Sequence, residues 1–233
     1  MNISKTRGDS CFMNTVISFF QNGGSFMYPI ALILVIGMAL SIERWVFLNV
    51  AKSSNRRAFN KILPKLQKKD YNGVIEITRS TRAPIGRIVA AGIARMQQTP
   101  RRDEIEYAME EGVMELIPRL EKRTPYIATL ANIATLLGLL GTIMGLIAAF
   151  TAVANADPAE KASLLSQSIS VAMNTTAFGL MSAIPLLLLH ATLQSKTTEI
   201  VDSLEMAGVK CLNIMSSSAS AATRARAPQD GPK

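Results

Sequence analysis

The chain has 233 residues, a formal net charge of +8 and 48% hydrophobic residues. This composition indicates a small membrane protein whose soluble part is too small to hold a large independent core. Residues 52–123 carry 16 Lys/Arg and nine Asp/Glu, so most of the excess positive charge lies between two apolar segments. That placement favours a cytoplasmic loop of a membrane protein over a nucleic-acid-binding domain, because basic loops remain in the cytoplasm.

Residues 1–24 are predicted to form a periplasmic segment with a short interfacial helix at residues 12–20. Lys5 and Arg7 precede Cys11, but the apolar region of a signal peptide or lipoprotein site is missing between them. The second cysteine, Cys211, lies far along the chain and on the other side of the membrane in the predicted topology. A disulfide framework is therefore not predicted.

The first apolar segment begins at Phe26 and contains no charge before Glu43 and Arg44. Trp45 and the residues after it extend it to a length that crosses a bilayer, so the sequence predicts transmembrane helix 1 at residues 25–48. Glu43 and Arg44 are expected to pair or to snorkel near its cytoplasmic end.

Residues 49–125 are predicted to form a helical cytoplasmic domain, because their apolar residues recur at helical spacing and none of the stretch alternates convincingly as a strand. The clearest apolar face consists of Ile85, Ile88, Val89, Gly92, Ile93 and Met96.

Residues 126–153 contain no charged side chain and exceed the ~20 apolar residues that a spanning helix needs, which predicts transmembrane helix 2. Small residues follow one another along one face of this helix at steps of four and three: Ala131, Thr135, Gly138, Thr142, Gly145 and Ala149. Gly141 lies in the same apolar run. These glycines do not indicate a phosphate-binding loop, which would lie between a strand and a helix.

A periplasmic hairpin at residues 154–167 is predicted to precede transmembrane helix 3 at residues 168–193. Pro185 is expected to kink this helix. A cytoplasmic helix at 194–215 and a disordered tail at 216–233 follow. The small face of the third span consists of Ser168, Ala172, Thr176, Gly179 and Ala183, and Asn174 and Thr175 add polarity beside it.

The fold class is therefore an all-α membrane protein with three transmembrane helices, a periplasmic N-terminus and a cytoplasmic C-terminus. Its small-residue faces have two interpretations: they pack helices together, or several copies turn them inward to line a pore with hydroxyls. The second and third spans lack Asp, Glu, Lys and Arg. His190 is a candidate proton relay, but a proton path through these spans needs a carboxylate from another chain.

The sequence does not predict an enzyme. It has no paired carboxylates in a plausible pocket, no Cys/His cluster with metal-ligand spacing, and one histidine only. The arginines of the basic loop alternate with acids and lack an aromatic platform, so nucleic-acid binding is not expected either.

The motifs TLLGLLGTIMGLIAAF (135–150) and AMNTTAFGLMSAIP (172–185) resemble the ExbB/TolQ/MotA family of ion-channel subunits. Three spans with a large cytoplasmic loop resemble the ExbB/TolQ type, since MotA-type subunits have four. The resemblance implies a homopentamer in the bacterial inner membrane that encloses a dimer of an ExbD/TolR-like one-span partner. The partner's transmembrane aspartate would supply the missing carboxylate, and the complex would act on a protein such as TonB.

The resemblance also assigns roles to residues. Thr142 and Thr176 would face the partner's aspartate, with Asn174 and Thr175 adding oxygen ligands. Pro185 matches the proline of the family's AIP motif. Together with Pro185, the small residues of the two spans are assigned to helix packing or to the pore lining: Gly138, Gly141, Gly145, Ala172, Gly179 and Ala183. No cofactor is implied beyond the transported ion. Val171 stands where ExbB-type sequences have a glutamate, and the neutral oxygens nearby also suit sodium. Proton coupling is therefore predicted, with sodium as the alternative.

Two other functions are compatible with the sequence. The chain could be a membrane scaffold whose cytoplasmic helices bind a soluble partner and whose small faces only join subunits. It could also be a motor of the same family that serves gliding, envelope constriction or defence.

Overall fold

The computed structural model describes residues 23–81, 83–154 and 156–226, with side chains described as far as residue 217. Six α-helices follow in order: α1 (Met27–Gln67), α2 (Tyr71–Ser80), α3 (Pro84–Gln98), α4 (Arg102–Glu121), α5 (Thr124–Ala154) and α6 (Lys161–Arg226). None of these described residues forms a strand, so the all-α prediction is confirmed for them. The interfacial helix predicted at residues 12–20 lies outside the described part of the chain.

Three helical segments are long and apolar enough to cross a membrane, in α1, in α4–α5 and in α6. Within the second segment, α5 supplies 31 residues without a charged side chain. The first apolar segment does not end its helix, because α1 continues to Gln67 through the start of the predicted cytoplasmic domain. Pro185 lies inside α6, and Pro64 lies in the last turn of α1.

Helix α6 begins at Lys161, within the stretch that the sequence predicts as a hairpin. The backbone N–H groups of Glu160 and Lys161 donate to the Asp157 carbonyl at 3.0 and 3.2 Å, and these bonds form a turn ahead of the helix. At its other end α6 continues to Arg226, where the sequence predicts a disordered tail from residue 216. Alanine and arginine are frequent there and both favour a helix.

One compact unit consists of the described residues up to Glu43 together with Arg123–Thr192. Its helices approach closely: a Cβ on Gly37 of α1 would lie 2.7 Å from Leu186 Cδ2 of α6. Large apolar side chains remain exposed on the outside of this unit, among them Leu136 and Leu188. Surface of this kind is covered by lipid or by other chains.

The other unit consists of Arg44–Lys122 and the residues from Leu193 onward. The apolar face predicted for α3 is buried in its core at Ile85, Ile88, Val89, Gly92 and Ile93, whereas Met96 is half-buried. Exposed ion pairs join α3 to α4, such as Arg95 with Glu104 at 3.8 Å. Exposed pairs contribute little to stability, so apolar burial holds this unit together.

Candidate functional site

The small-residue faces of α5 and α6 pack against each other within one chain. A Cβ added to Gly179 would lie 2.9 Å from the Gly138 Cα and 2.8 Å from the Ala134 carbonyl oxygen. A side chain at this position would therefore force the two backbones apart. Close backbone contact through glycine is a common way for membrane helices to associate.

The same contact extends along both helices. A Cβ on Gly145 would lie 2.7 Å from the Ala172 Cβ, and one on Gly141 would lie 2.4 Å from the Thr175 Cγ2. Ala183, farther along α6, is 2% exposed. In the single chain these positions pack one helix against the other, as the first interpretation of the small faces requires.

The hydroxyl of Thr176 bridges this helix pair. Its Oγ1 donates to the Gly138 carbonyl at 2.7 Å. Thr142 Oγ1 instead donates to the Leu139 carbonyl of its own helix at 2.6 Å. Both threonines are only partly buried. A hydroxyl that has donated its hydrogen keeps lone pairs, so both oxygens can still accept a hydrogen bond or bind a cation.

The structure places Thr175 differently from its neighbours. Thr175 is 2% exposed, and its Oγ1 lies 2.6 Å from the Gly23 carbonyl and 3.0 Å from the Val171 carbonyl. Its hydroxyl therefore fixes the segment before α1 to α6 and is turned into the unit. Asn174 is half-buried, and it borders an open polar cavity.

This cavity, of about 490 Å³, follows the first turns of α6. It is lined by Ser163, Ser166, Gln167, Ser170, Val171 and Asn174. The sequence predicts only Asn174 as a functional residue among them. The others recur at helical steps of three and four, but Ser163, Ser166 and Gln167 fall in the stretch that the sequence predicts as a hairpin, where no helical face is expected. The cavity offers hydroxyl and amide oxygens without a charged group.

Charged residues near the end of the first predicted span are paired. Arg123 Nη1 donates to Glu43 Oε1, and the Arg123 backbone has a left-handed φ of 69°. In the other unit, Arg44 is 4% exposed, its guanidinium donates to the Leu120 carbonyl, and it lies 4.8 Å from the Phe47 ring centroid. Glu43 and Arg44, the two charged residues near the end of the first predicted span, are thus both paired, as expected for charged side chains close to a membrane.

Among the residues that the structure describes, no group of three or more His, Cys, Asp or Glu side chains is placed to hold a metal ion. His190 is half-buried near the inner end of the third predicted span. In the predicted spans at residues 126–153 and 168–193, the polar chemistry is therefore that of neutral oxygen atoms and of the His190 imidazole.

Comparison with known proteins places these helices in context. Residues 80–206 match the model of the MotA/TolQ/ExbB proton channel family. This range contains α5 and the predicted site residues from Gly138 to Pro185.

Individual relatives agree with this match. A biopolymer transport protein ExbB homologue of Methanothermobacter thermautotrophicus is 28% identical over 200 residues, 84% of this chain and 68% of that protein. An ExbB-like biopolymer transport protein of Synechocystis is 28% identical over 167 residues, 71% of this chain and 79% of that protein. The Tol-Pal system protein TolQ of Haemophilus influenzae is 33% identical over 93 residues, 40% of each chain.

Proposed function

The chain belongs to the MotA/TolQ/ExbB proton channel family, and we propose that it is the ion-conducting subunit of a motor complex in the bacterial inner membrane. In this proposal the complex uses the proton motive force to drive a periplasmic or outer-membrane process. The N-terminus lies in the periplasm and the C-terminus in the cytoplasm, as the basic loop predicts.

One observation carries the proposal: the predicted spans in α5 (residues 126–153) and α6 (residues 168–193) pack closely and present hydroxyl oxygens without Asp, Glu, Lys or Arg. Thr142 and Thr176 keep lone pairs at a partly exposed surface of the pair, and Asn174 opens onto the polar cavity. These oxygens can help an ion to lose water, but they cannot take up and release a proton near neutral pH. His190 lies fourteen residues beyond Thr176 along α6, so a titratable group beside Thr142 and Thr176 must come from elsewhere, which supports a partner with a transmembrane carboxylate.

We therefore propose a homopentamer around a dimer of an ExbD/TolR-like one-span partner, with the partner's aspartate facing Thr142 and Thr176. The exposed apolar side chains of the membrane unit provide surface for neighbouring copies and for lipid. Thr175 belongs to the helix-packing residues in this proposal, because its hydroxyl is buried against the Gly23 carbonyl.

The names of the relatives support candidates for the process that the motor drives. They include proteins named for biopolymer transport and for the Tol-Pal system. We propose TonB-dependent transport as the first process to test, with gliding, envelope constriction and defence as alternatives within the same family.

Native mass spectrometry of this chain, co-expressed with a one-span protein encoded beside it, tests the assembly. Five copies of this chain with two of the partner are expected. Reconstituted into proteoliposomes, the complex should take up protons under an imposed potential. A partner whose transmembrane aspartate is replaced by asparagine is the matched control, and it should assemble without conducting.

The second candidate is a scaffold without ion coupling. The packing of the small faces within one chain favours it, because glycines that join α5 to α6 need no channel to explain them. A stable homo-oligomer that never retains the one-span partner, and that does not conduct, would establish the scaffold and reject the motor.

A further inference from the structure

A basic groove lies in the unit formed by Arg44–Lys122 and the residues from Leu193 onward. It is a cavity of about 320 Å³, with its longest walls formed by α1 and α6. Its charged lining residues are Lys52, Arg56, Lys210 and Glu199. The groove therefore carries two more positive charges than negative ones.

The excess charge is concentrated on two side chains. Lys52 and Glu199 form an ion pair with each other. Within the described part of the chain, neither Arg56 nor Lys210 lies within 4.0 Å of a carboxylate. Two uncompensated cations in one cavity favour an anionic ligand.

A buried amide next to Arg56 also favours an anionic ligand. Asn55 lines the groove, is 9% exposed, and accepts a hydrogen bond from the Ile85 N–H at 3.3 Å through Oδ1. Its Nδ2 has no hydrogen-bond partner among the described residues. Buried donors are seldom left unpaired, so an acceptor atom is expected near Nδ2. A phosphate group supplies such oxygens together with the negative charge that Arg56 requires.

Most of the remaining wall is apolar. It consists of Phe59, Ile200, Leu204, Met206 and Ala207, together with Ile85, and the polar residues Asn60 and Ser203 complete the lining. Met206 is 61% exposed, which leaves part of this apolar wall open to solvent. A free inorganic ion would gain nothing from these walls, whereas an amphiphile would bury apolar surface against them.

Two basic residues of this unit lie close in sequence to the predicted ends of the spans. Lys52 lies four residues beyond the predicted end of the first span, and Lys196 lies three residues beyond that of the third. Lys196 Nζ lies 3.3 Å from the Trp45 ring centroid, and tryptophan is typical of the membrane–water interface. Basic pockets beside spanning helices bind lipid headgroups.

We propose that this groove binds the phosphate of an anionic phospholipid. Arg56, one helical turn beyond Lys52 and next to Asn55, contacts the phosphate. Lys210, farther along α6, adds longer-range attraction. Ion conduction is not required, so the site exists equally in a motor and in a scaffold.

Native mass spectrometry of the delipidated full-length protein in detergent tests the site. Palmitoyl-oleoyl phosphatidylglycerol should remain bound under conditions that release phosphatidylcholine with the same acyl chains. Arg56→Gln should weaken phosphatidylglycerol binding about fivefold at low salt, the effect of one basic residue near an anionic lipid. Lys210→Gln should weaken it less, and Arg56→Lys should retain most of it.

Arg57→Gln is the matched control, since it removes the same charge from an exposed neighbour that does not line the groove. Equal binding of the two lipids, or an equal loss in Arg57→Gln, would overturn the proposal. Glycerol 3-phosphate distinguishes the sources of phosphate. If it binds as tightly as phosphatidylglycerol and displaces it, the groove takes a soluble phosphate compound and the lipid assignment is wrong. Thermal unfolding confirms that each variant is folded.

Discussion

Thr176 Oγ1 donates a 2.7 Å hydrogen bond to the Gly138 carbonyl, where the backbones of α5 and α6 are in contact. The residue proposed to meet the ion therefore also joins the two helices. The hydroxyl hydrogen of Thr176 is donated to the Gly138 carbonyl, while the lone pairs of Oγ1 remain available. Any test of its role must remove the oxygen and preserve the packing.

Thr176→Val meets this requirement, because valine has nearly the same shape and lacks the hydroxyl. A carbonyl inside a helix already accepts a backbone N–H, so the lost bond leaves Gly138 with one partner. Hydrogen bonds between membrane helices contribute about 0.6 kcal/mol on average, so the complex should still assemble. We predict at least a tenfold loss of proton uptake in proteoliposomes.

Two further variants are the controls for this measurement. Thr176→Ser keeps the oxygen and should conduct. Thr151→Val removes an exposed hydroxyl from α5 outside the small face and should also conduct. Normal proton uptake by Thr176→Val would show that the Thr176 hydroxyl only packs the helices.

Gly179→Ala tests the contact between the two backbones. Its Cβ would lie 2.8 Å from a carbonyl oxygen and 2.9 Å from a Cα, and neither atom can move without its helix. Overpacking of this kind costs about 1–3 kcal/mol, so we expect a lower midpoint of thermal unfolding in detergent and less assembled complex.

Gly208→Ala is the control for this variant. A Cβ at Gly208 would have the Met109 Cε as its nearest neighbour at 3.7 Å, an ordinary contact distance, and alanine favours a helix over glycine by about 0.5–1 kcal/mol. Gly208→Ala should therefore unfold at the same temperature or higher. Equal stability of the two variants would contradict a direct contact at Gly179.

Much of this architecture follows from hydrophobic pattern and charge. The charge-free run of α5 and the buried face of α3 are both visible in the sequence, because each is repeated over several helical turns. The start of α6 is not visible in the sequence, because it depends on a single turn at Asp157 within a short polar stretch. Local turns of this kind give no periodic signal.

The hydrophobic pattern also does not reveal which segment of the chain each face of α6 contacts. Thr175 and Thr176 are adjacent, yet about 100° separates them around a helix, so one bonds to Gly23 and the other to Gly138. Both partners are backbone carbonyls more than 30 residues away in the chain. Only the packed structure distinguishes the buried threonine from the partly exposed one.

Cys211 provides a test of packing in the other unit. Burial raises the pKa of its thiol from 9.0 to about 11. The thiolate is the nucleophile, so at pH 8 the folded protein should react with maleimide about a hundredfold more slowly than the unfolded chain. The measurement uses a Cys11→Ser background so that only Cys211 is labelled. Rapid labelling of the folded protein would contradict the burial.

The same shift predicts a dependence of stability on pH. Because the folded thiol has the higher pKa, its contribution is complete below about pH 9 and is lost as pH rises through 11. Cys211→Ala, compared with Cys11→Ser at pH 8 and pH 10, should show a smaller decrease in stability over this interval. Equal decreases would indicate that Cys211 is not the group responsible.

The residues near Thr176 favour the proton over sodium as the coupling ion. Val171 provides no carboxylate, so this chain contributes only neutral oxygens near Thr176. A proton needs one titratable group, which the proposed partner supplies, whereas sodium needs several oxygen ligands at once. Oxygen ligands bind a sodium ion best when they converge on one point, but the polar residues at the start of α6 line an open cavity.

We therefore predict proton coupling: transport by the complex should be unchanged when choline replaces sodium, and a protonophore should abolish it. Loss of transport on sodium removal would reject the proton and assign the cavity beside Asn174 to sodium, and Asn174→Leu should then raise the sodium concentration needed for half-maximal transport.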